Sequence, residues 1–266
     1  MSKLFIVATP IGNLGDITVR AKKVLAEVDV IACEDTRHTA TLLAHLGIKK
    51  PLVSYYKHKE KEGSVYLADL VEGGKNVALV SDAGMPCISD PGSVLVKELR
   101  KRELEYTVCP GACAFVSAIA LTGVTGAFTF LGFLPEKNKD KINLISAHKE
   151  TGANLIFYSA PHDLNKNLDF LYSELGETTV YLVKEITKIY ESVKVGRLSV
   201  LREEEPKGEY VIICEPAEKK EVSDRDIREM LSAEISSGKD KKTAVKEVTE
   251  RLSVPKNRVY KLSLEL

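Results

Sequence analysis

The chain is 266 residues long, and its 38 Lys and Arg are balanced by 38 Asp and Glu for a formal net charge of zero. With 44% hydrophobic and 29% charged residues it carries enough apolar surface to offset chain entropy, which excludes a disordered polymer. No apolar run reaches the ~20 residues that cross a bilayer, and charge neutrality argues against a nucleic-acid binder built on bulk electrostatics.

The length fits one large domain or two modest ones. The opening MSKLFIVATPIGN runs from a short apolar stretch straight into Pro and Gly, so it reads as a first strand rather than a signal peptide. A cytoplasmic protein with reduced thiols is therefore expected. Five cysteines (Cys33, Cys87, Cys109, Cys113 and Cys214) exclude complete internal pairing, and their spacing matches no common zinc pattern, so no metal site is predicted.

Strands are predicted at Leu4–Thr9, Val28–Cys33, Asn76–Ser81, Glu105–Cys109 and Phe128–Gly132. Helical patterns at Arg20–Ala26, Thr36–Leu46, Ser64–Glu72, Ser93–Arg102 and Ala112–Ala120 lie between them. Such alternation predicts an α/β domain with a largely parallel sheet, ending at residue 133. The polar segment Leu134–Lys141 reads as a linker leading into a helix. A second α/β domain over 134–217 is expected from strands at Asn154–Tyr158, Thr179–Val183, Ile189–Val195 and Lys207–Glu215, the last paired antiparallel, with a helix over Asp163–Leu175. A charged linker, Glu218–Glu221, precedes three helical patterns at Ser223–Ser237, Lys241–Leu252 and Pro255–Leu264. Asp240 and Ser253 are candidate caps and Pro255 suits a first turn. This 223–266 tail suggests a helix-turn-helix-like module.

Four segments follow predicted strands, where ligand crevices of open α/β sheets form. Thr9–Asp16 lacks the dinucleotide fingerprint, and as a pattern it reads equally as a strand-to-helix turn. Ser81–Gly92 packs two Asp, two Ser, two Gly and two Pro into twelve positions; Asp82 is assigned to a ligand, and Asp90 to the N-cap of the following helix. Cys109–Ala114 offers small residues that either admit a flat ligand or allow tight helix packing. Tyr158–His162 is followed at a distance by Lys184–Lys188, and His162 reads as part of a helix cap.

In order over residues 4–215 stand TPIGNLGDIT, CEDTRHTATLL, ALVSDAGMPCISDPG, CPGACA, YSAPHDL, KEITKIYE and KGEYVIIC. Together they closely resemble the tetrapyrrole methylase superfamily, and within it the branch acting on small-subunit ribosomal RNA. The tail, GKDKKTAVKEV and SVPKNRVY, is similar to that branch's C-terminal helices. The resemblance implies two α/β domains with an S-adenosylmethionine cleft between them, a homodimer, and 2′-O-methylation of a cytidine ribose in 16S rRNA of the 30S subunit. Carried onto this chain, it places cofactor contacts on Pro10, Gly12, Asp82, Ala83, Gly84, Met85, Ile88, Ala112, Cys113, Ala114, Tyr158, Ser159, Ala160 and Gly208. The chain departs from the pattern at Cys113, where a hydroxyl residue is usual, at Lys184, where Arg is usual, and at Ser54–Lys59, where only His58 stands for an H-E-H-N pattern.

A ribose hydroxyl is a poor nucleophile at neutral pH, so a positioned base or charge stabiliser is expected beside it. Glu185, Lys188 and Lys184 are the leading catalytic candidates, with Glu34, Asp35 and His38 behind them; a lysine with a burial-lowered pKa would serve as base. Arg37 and His38 are candidates for RNA phosphate, against the alternative of a salt-bridged helix cap. From Lys239 to Lys261 there are eight Lys and Arg against three acids. That excess reads either as a solvated face or as phosphate contacts through Lys241, Lys242, Lys256 and Arg258. A tetrapyrrole methyltransferase would not need the basic tail, and a non-catalytic RNA binder would not need the Ser81–Gly92 segment.

Overall fold

The computed structural model describes residues 2–217, 223–252 and 254–265, which form two compact units divided after Ala217. The predicted linker at Glu218–Glu221 and the predicted cap Ser253 lie outside the described residues.

The first unit holds two five-stranded sheets. Strands β1 (Leu4–Val7), β2 (Val30–Cys33), β3 (Leu52–Ser54), β4 (Val77–Leu79) and β5 (Tyr106–Cys109) run in the order β3-β2-β4-β1-β5, every pair parallel. The crossovers are α1 (Val19–Glu27), α2 (Thr36–Leu46), α3 (Glu60–Glu72) and α4 (Ser93–Lys101). A parallel sheet must be covered on both faces, and two separate cores do this. Ala21, Leu25 and Leu43 pack over Ile31 and Ala78 on one face, while Leu67, Val71, Leu95 and Leu99 pack over Leu4 and Val77 on the other. Strand β3 escaped the sequence reading because three half-exposed residues carry little alternation.

The second sheet has the order β6-β7-β10-β8-β9, from β6 (Phe128–Phe133), β7 (Asn154–Ser159), β8 (Thr179–Lys184), β9 (Ser192–Arg197) and β10 (Tyr210–Cys214). Only β6 and β7 are parallel; β10 runs antiparallel to both β7 and β8. Its faces are covered by α5 (Ala114–Thr122) on one side and by α6 (Asn138–His148) and α7 (Leu164–Leu175) on the other. Two expectations are corrected here. The strand at 128–132, read as the close of the first domain, pairs with β7, and α5 packs on the second sheet through Ala118 and Phe115. The apolar run at Ile189 is not strand: β9 begins at Ser192, and Ile189 and Tyr190 stand 95% and 77% exposed in the preceding loop.

The second unit is a three-helix cluster of α8 (Asp224–Ser236), α9 (Lys241–Leu252) and α10 (Lys256–Ser263) around Ile227, Leu231, Val245, Val248, Val259 and Leu262. Ser223 and Asp226 form a reciprocal capping box on α8. Asp240 caps α9 as expected, accepting the Thr243 N–H at 2.9 Å. Pro255 stands at the N-cap of α10, one position before the first turn.

Candidate functional site

In the first sheet the loops after β1, β2, β4 and β5 all leave from the carboxyl edge, because the strands are parallel. A bridge between Thr9 and Gly84 ties the β1 and β4 loops together, with Thr9 N–H donating to the Gly84 carbonyl at 2.9 Å. In the second sheet the antiparallel β10 brings its own start to the edge where β7 and β8 end, since Tyr210 lies opposite both Ser159 and Lys184. Residues 158–161, 184–188 and 208–211 thus meet at one edge despite their separation in sequence.

The two edges face each other across a cavity of about 450 Å³, a size suited to a small-molecule ligand. Ile11 from the β1 loop packs on the core beneath α5, and the Ser89 hydroxyl lies 3.0 Å from where a Cβ on Gly132 would stand, so the β4 loop reaches the β6 bulge. Of the residues singled out by sequence, Asp82, Ala83, Gly84, Met85, Ile88, Cys113, Ala114, Tyr158, Ser159, Ala160, Glu185 and Lys188 line the cavity. Pro10, Gly12, Ala112 and Gly208 are outside that lining, and of these Gly12, Ala112 and Gly208 adjoin lining residues. A Cβ on Gly208, whose φ is +76°, would lie 2.3 Å from the Glu185 carboxyl carbon, and one on Gly12 would lie 2.3 Å from Lys188 Cγ.

Glu185 and Lys188 form the centre of the second sheet's contribution. Glu185 has φ +51° and Thr187 φ +69°, which turns the chain tightly after β8. Lys188 Nζ then donates to Glu185 Oε1 at 2.8 Å and to Glu209 Oε2 at 3.0 Å, while the Glu209 N–H donates to Glu185 Oε1 at 2.9 Å. Burial disfavours both charges, but the pairing outweighs it: the Glu185 carboxyl is held below, and the Lys188 ammonium above, its ordinary value. The expectation of a lysine base with a lowered pKa is therefore corrected for Lys188, which stays protonated. Lys184 sits with its ammonium 5.8 Å from the Tyr210 ring centroid, outside the lining.

The first sheet contributes carboxylates. Asp82 accepts the Asp35 N–H at 3.2 Å, which links the β4 loop to the start of α2. Glu34 and Asp90 also line the cavity. Burial, and then Asp82, push the Glu34 carboxyl up; burial, and then Glu34 and Asp82, push Asp90 up to about 6. Asp90 is not the cap of α4, which corrects the sequence assignment: Gly92 holds that position at φ +141°, and its N–H donates to Glu60 Oε1 at 2.8 Å. Non-glycine residues Cys87 and Ser89 take φ of +71° and +67°, and this folding of the loop carries Asp90 into the cavity instead.

Phe133 and Tyr158 line the cavity as the near edge of an aromatic cluster. Phe115 stacks on Phe130 with ring centroids 4.2 Å apart, and Phe130 and Phe133 both meet Tyr158 edge-on. Tyr158 Oη accepts the Phe115 N–H at 3.3 Å, and burial raises its phenol well above the ordinary value. Phe133 lies outside every segment singled out from sequence, and Glu209 and Tyr210, though inside KGEYVIIC, had no role assigned there; strand register brings them to the cavity.

The residues proposed for RNA divide. Asp35 caps α2 by accepting the Arg37 N–H at 2.8 Å, and the Arg37 guanidinium pairs with the same carboxylate at 2.7 and 3.1 Å, the salt-bridged cap weighed from sequence; His38 is exposed. In the second unit Lys241 donates to the Ser263 carbonyl at 3.2 Å and Arg258 pairs with Asp224 at 2.7 Å. Lys242 and Lys256 are exposed.

Residues 3–202 match the family of tetrapyrrole (corrin/porphyrin) methylases. The chain is 38% identical over 275 residues to ribosomal RNA small subunit methyltransferase I of Synechocystis sp., covering 100% of this chain and 99% of that protein. It is 42% identical to the protein of the same name from Halalkalibacterium halodurans, covering 97% and 93% of the two chains. Among solved structures, a diphthine synthase aligns with TM-score 0.66 at 18% identity over 81% of this chain and 90% of that one, and the methyltransferase CobJ with TM-score 0.62 at 18% identity over 82% and 95%; these show the shared fold. A parallel sheet and a mixed sheet closing on one cavity, together with near full-length identity to curated relatives, make this chain a member of the ribosomal RNA small subunit methyltransferase I family of the tetrapyrrole methylases.

Proposed function

We propose that the protein transfers a methyl group from S-adenosylmethionine to the 2′-hydroxyl of a cytidine ribose in 16S rRNA, working in the cytoplasm on the 30S subunit. The single observation that carries the site assignment is the convergence of the family's separate segments on one cavity. Its chemistry fits the cofactor: apolar Ile11, Met85, Ile88 and Val211 offer a surface for a flat base, and carboxylates offer acceptors for ribose hydroxyls and an ammonium group. The bound cofactor supplies an electrophilic methyl on a sulfonium.

The residues then divide by position. The Asp82–Met85 loop, Ile88, Cys113, Ala114 and Tyr158–Ala160 hold the cofactor, with Gly12 and Ala112 as backbone walls. Glu185 and Lys188 orient the incoming ribose, which supplies the near-attack geometry on which in-line displacement depends. Lys188, kept cationic, steadies negative charge on the RNA side. In the tail, Lys242 and Lys256 contact phosphate. Incubation with labelled S-adenosylmethionine and either 30S subunits or a precorrin tests the assignment; label in 16S rRNA alone is expected, and label in the precorrin alone overturns it.

The homodimer is proposed to form through α5 and its flanking strands. Val116 and Leu121 of α5 stand 52% and 47% exposed, and Tyr106 and Val108 on the edge strand β5 and Phe128 on the edge strand β6 are exposed as well. A helix apolar on its outer face asks for a partner. Sedimentation of Val116→Glu/Leu121→Glu against the parent protein tests it, with a shift to monomer expected.

A further inference from the structure

The Glu185–Lys188 ion pair leaves the reaction without a proton acceptor, because an ammonium held cationic takes no proton and a carboxylate already bound to it is a poor one. The cavity offers another candidate on its opposite wall. Resting on the reading that this cavity methylates a ribose hydroxyl, we propose that Asp90 is the catalytic residue that accepts the hydroxyl proton, and that Glu34 tunes it.

Three structural features support this. Asp90 lines the same cavity as Glu185, Lys188 and Tyr158, so a nucleoside oriented from the second sheet meets it from the first. The carboxylate is not used as a helix cap, because Gly92 occupies that position and Glu60 satisfies its N–H. The backbone bears the cost of placing it, with two non-glycine left-handed residues within the three positions before it. Burial is the main cause of its basicity; Glu34 from the end of β2 and Asp82 from its own loop raise it further, and Ser81 moderates them. Tyr158 from β7 and Cys87 from the loop also feel its charge, and Glu60 from α3 acts on Cys87. A carboxylate poised near neutrality, opposite an ion pair driven the other way, is the division of labour that acid–base chemistry needs.

The step balances. The ribose oxygen forms its new bond to the methyl carbon as the carbon–sulfur bond breaks, and that bond's electron pair stays on sulfur, neutralising the sulfonium. The hydroxyl proton passes to the Asp90 carboxylate and is lost to solvent after product leaves.

The experiment compares the full-length protein with Asp90→Asn and Glu34→Gln. Single-turnover methyl transfer to 30S subunits is followed from pH 5 to 9, with S-adenosylmethionine affinity by calorimetry and carboxyl NMR titration of the cofactor-free protein. Asp90→Asn is expected to lose at least a hundredfold in rate with affinity within threefold. Glu34→Gln is expected to move both the acidic limb of the rate profile and the Asp90 titration downward by half a pH unit or more. Asp90→Asn turnover within threefold of the parent, or an acidic limb unmoved in Glu34→Gln, overturns the proposal. A parent protein that labels no 16S rRNA instead overturns the substrate reading on which it rests.

Discussion

Gly12, in the loop after the first strand, lies directly against the side chain of Lys188, in the loop after β8. A Cβ on Gly12 would stand 2.3 Å from Lys188 Cγ and 2.9 Å from its Cε, so the two sheets meet here with no room for a methyl group. Gly12→Ala is expected to push Lys188 away from Glu185 and Glu209 at a cost of about 1–3 kcal/mol, the usual range for overpacking. Methyl transfer should fall at least tenfold with little change in cofactor affinity. Parallel measurement of turnover and calorimetric Kd checks this, and wild-type turnover would show that the contact does not position the lysine.

Glu185 and Lys188 act as a unit, so their removal should not be additive. Glu185→Ala and Lys188→Ala are each expected to reduce turnover about a hundredfold, and the double variant little further. A double-mutant cycle on single-turnover rates makes the test. Wild-type turnover in both single variants would remove the pair from the reaction.

Asp82 carries a cofactor role and also accepts the Asp35 N–H. Asp82→Ala should weaken S-adenosylmethionine binding by about tenfold, equivalent to about 1.4 kcal/mol. Calorimetry decides it, and unchanged affinity would place the cofactor elsewhere.

The raised Asp90 carboxyl has a consequence for stability as well as for rate. Its folded value of about 6 lies above its ordinary 3.8, so charging it costs folding energy above pH 6. The cost fades as pH falls from about 6 toward about 4 and is absent below. Asp90→Asn should therefore be more stable than the parent at pH 7.5 by about 1 kcal/mol, discounted for solvent screening at the cavity mouth. Thermal unfolding should show a Tm gain of about 2 °C or more at pH 7.5 that vanishes near pH 4.

In the second unit, Lys242→Glu/Lys256→Glu should weaken RNA binding about tenfold at low salt and flatten its salt dependence, while S-adenosylmethionine affinity stays unchanged. Filter binding across a salt series measures it. Lys239 is a poor choice for this test, since it bridges Glu234 and Glu247 at 2.6 Å each and its loss would perturb the helical core.

Charge neutrality had argued against a nucleic-acid partner, yet the average conceals unlike segments: three consecutive acids at Glu203–Glu205, and five excess cations between Lys239 and Lys261. Which of those cations pair within their own unit was not legible from their count: Lys239, Arg251 and Arg258 are engaged with acids there.

The sequence alone determined most of the elements, though not β3 or the start of β9. Parallel strands read as apolar runs, Thr36–Leu46 and Lys241–Leu252 emerged at their observed bounds, and the loops after β1, β4, β5 and β7 were marked by glycine and proline. Local forces set these features, so local sequence reveals them. Only the tertiary structure decided that β6 joins the second sheet, that Glu209 completes the Lys188 cluster and that Lys184 sits outside the cavity. It also decided that Asp90 turns into the cavity rather than capping α4. These depend on strand register and on left-handed turns at Cys87, Ser89, Glu185 and Thr187. Such turns cost energy locally and persist because packing elsewhere compensates, which is why the residues themselves give no notice of them.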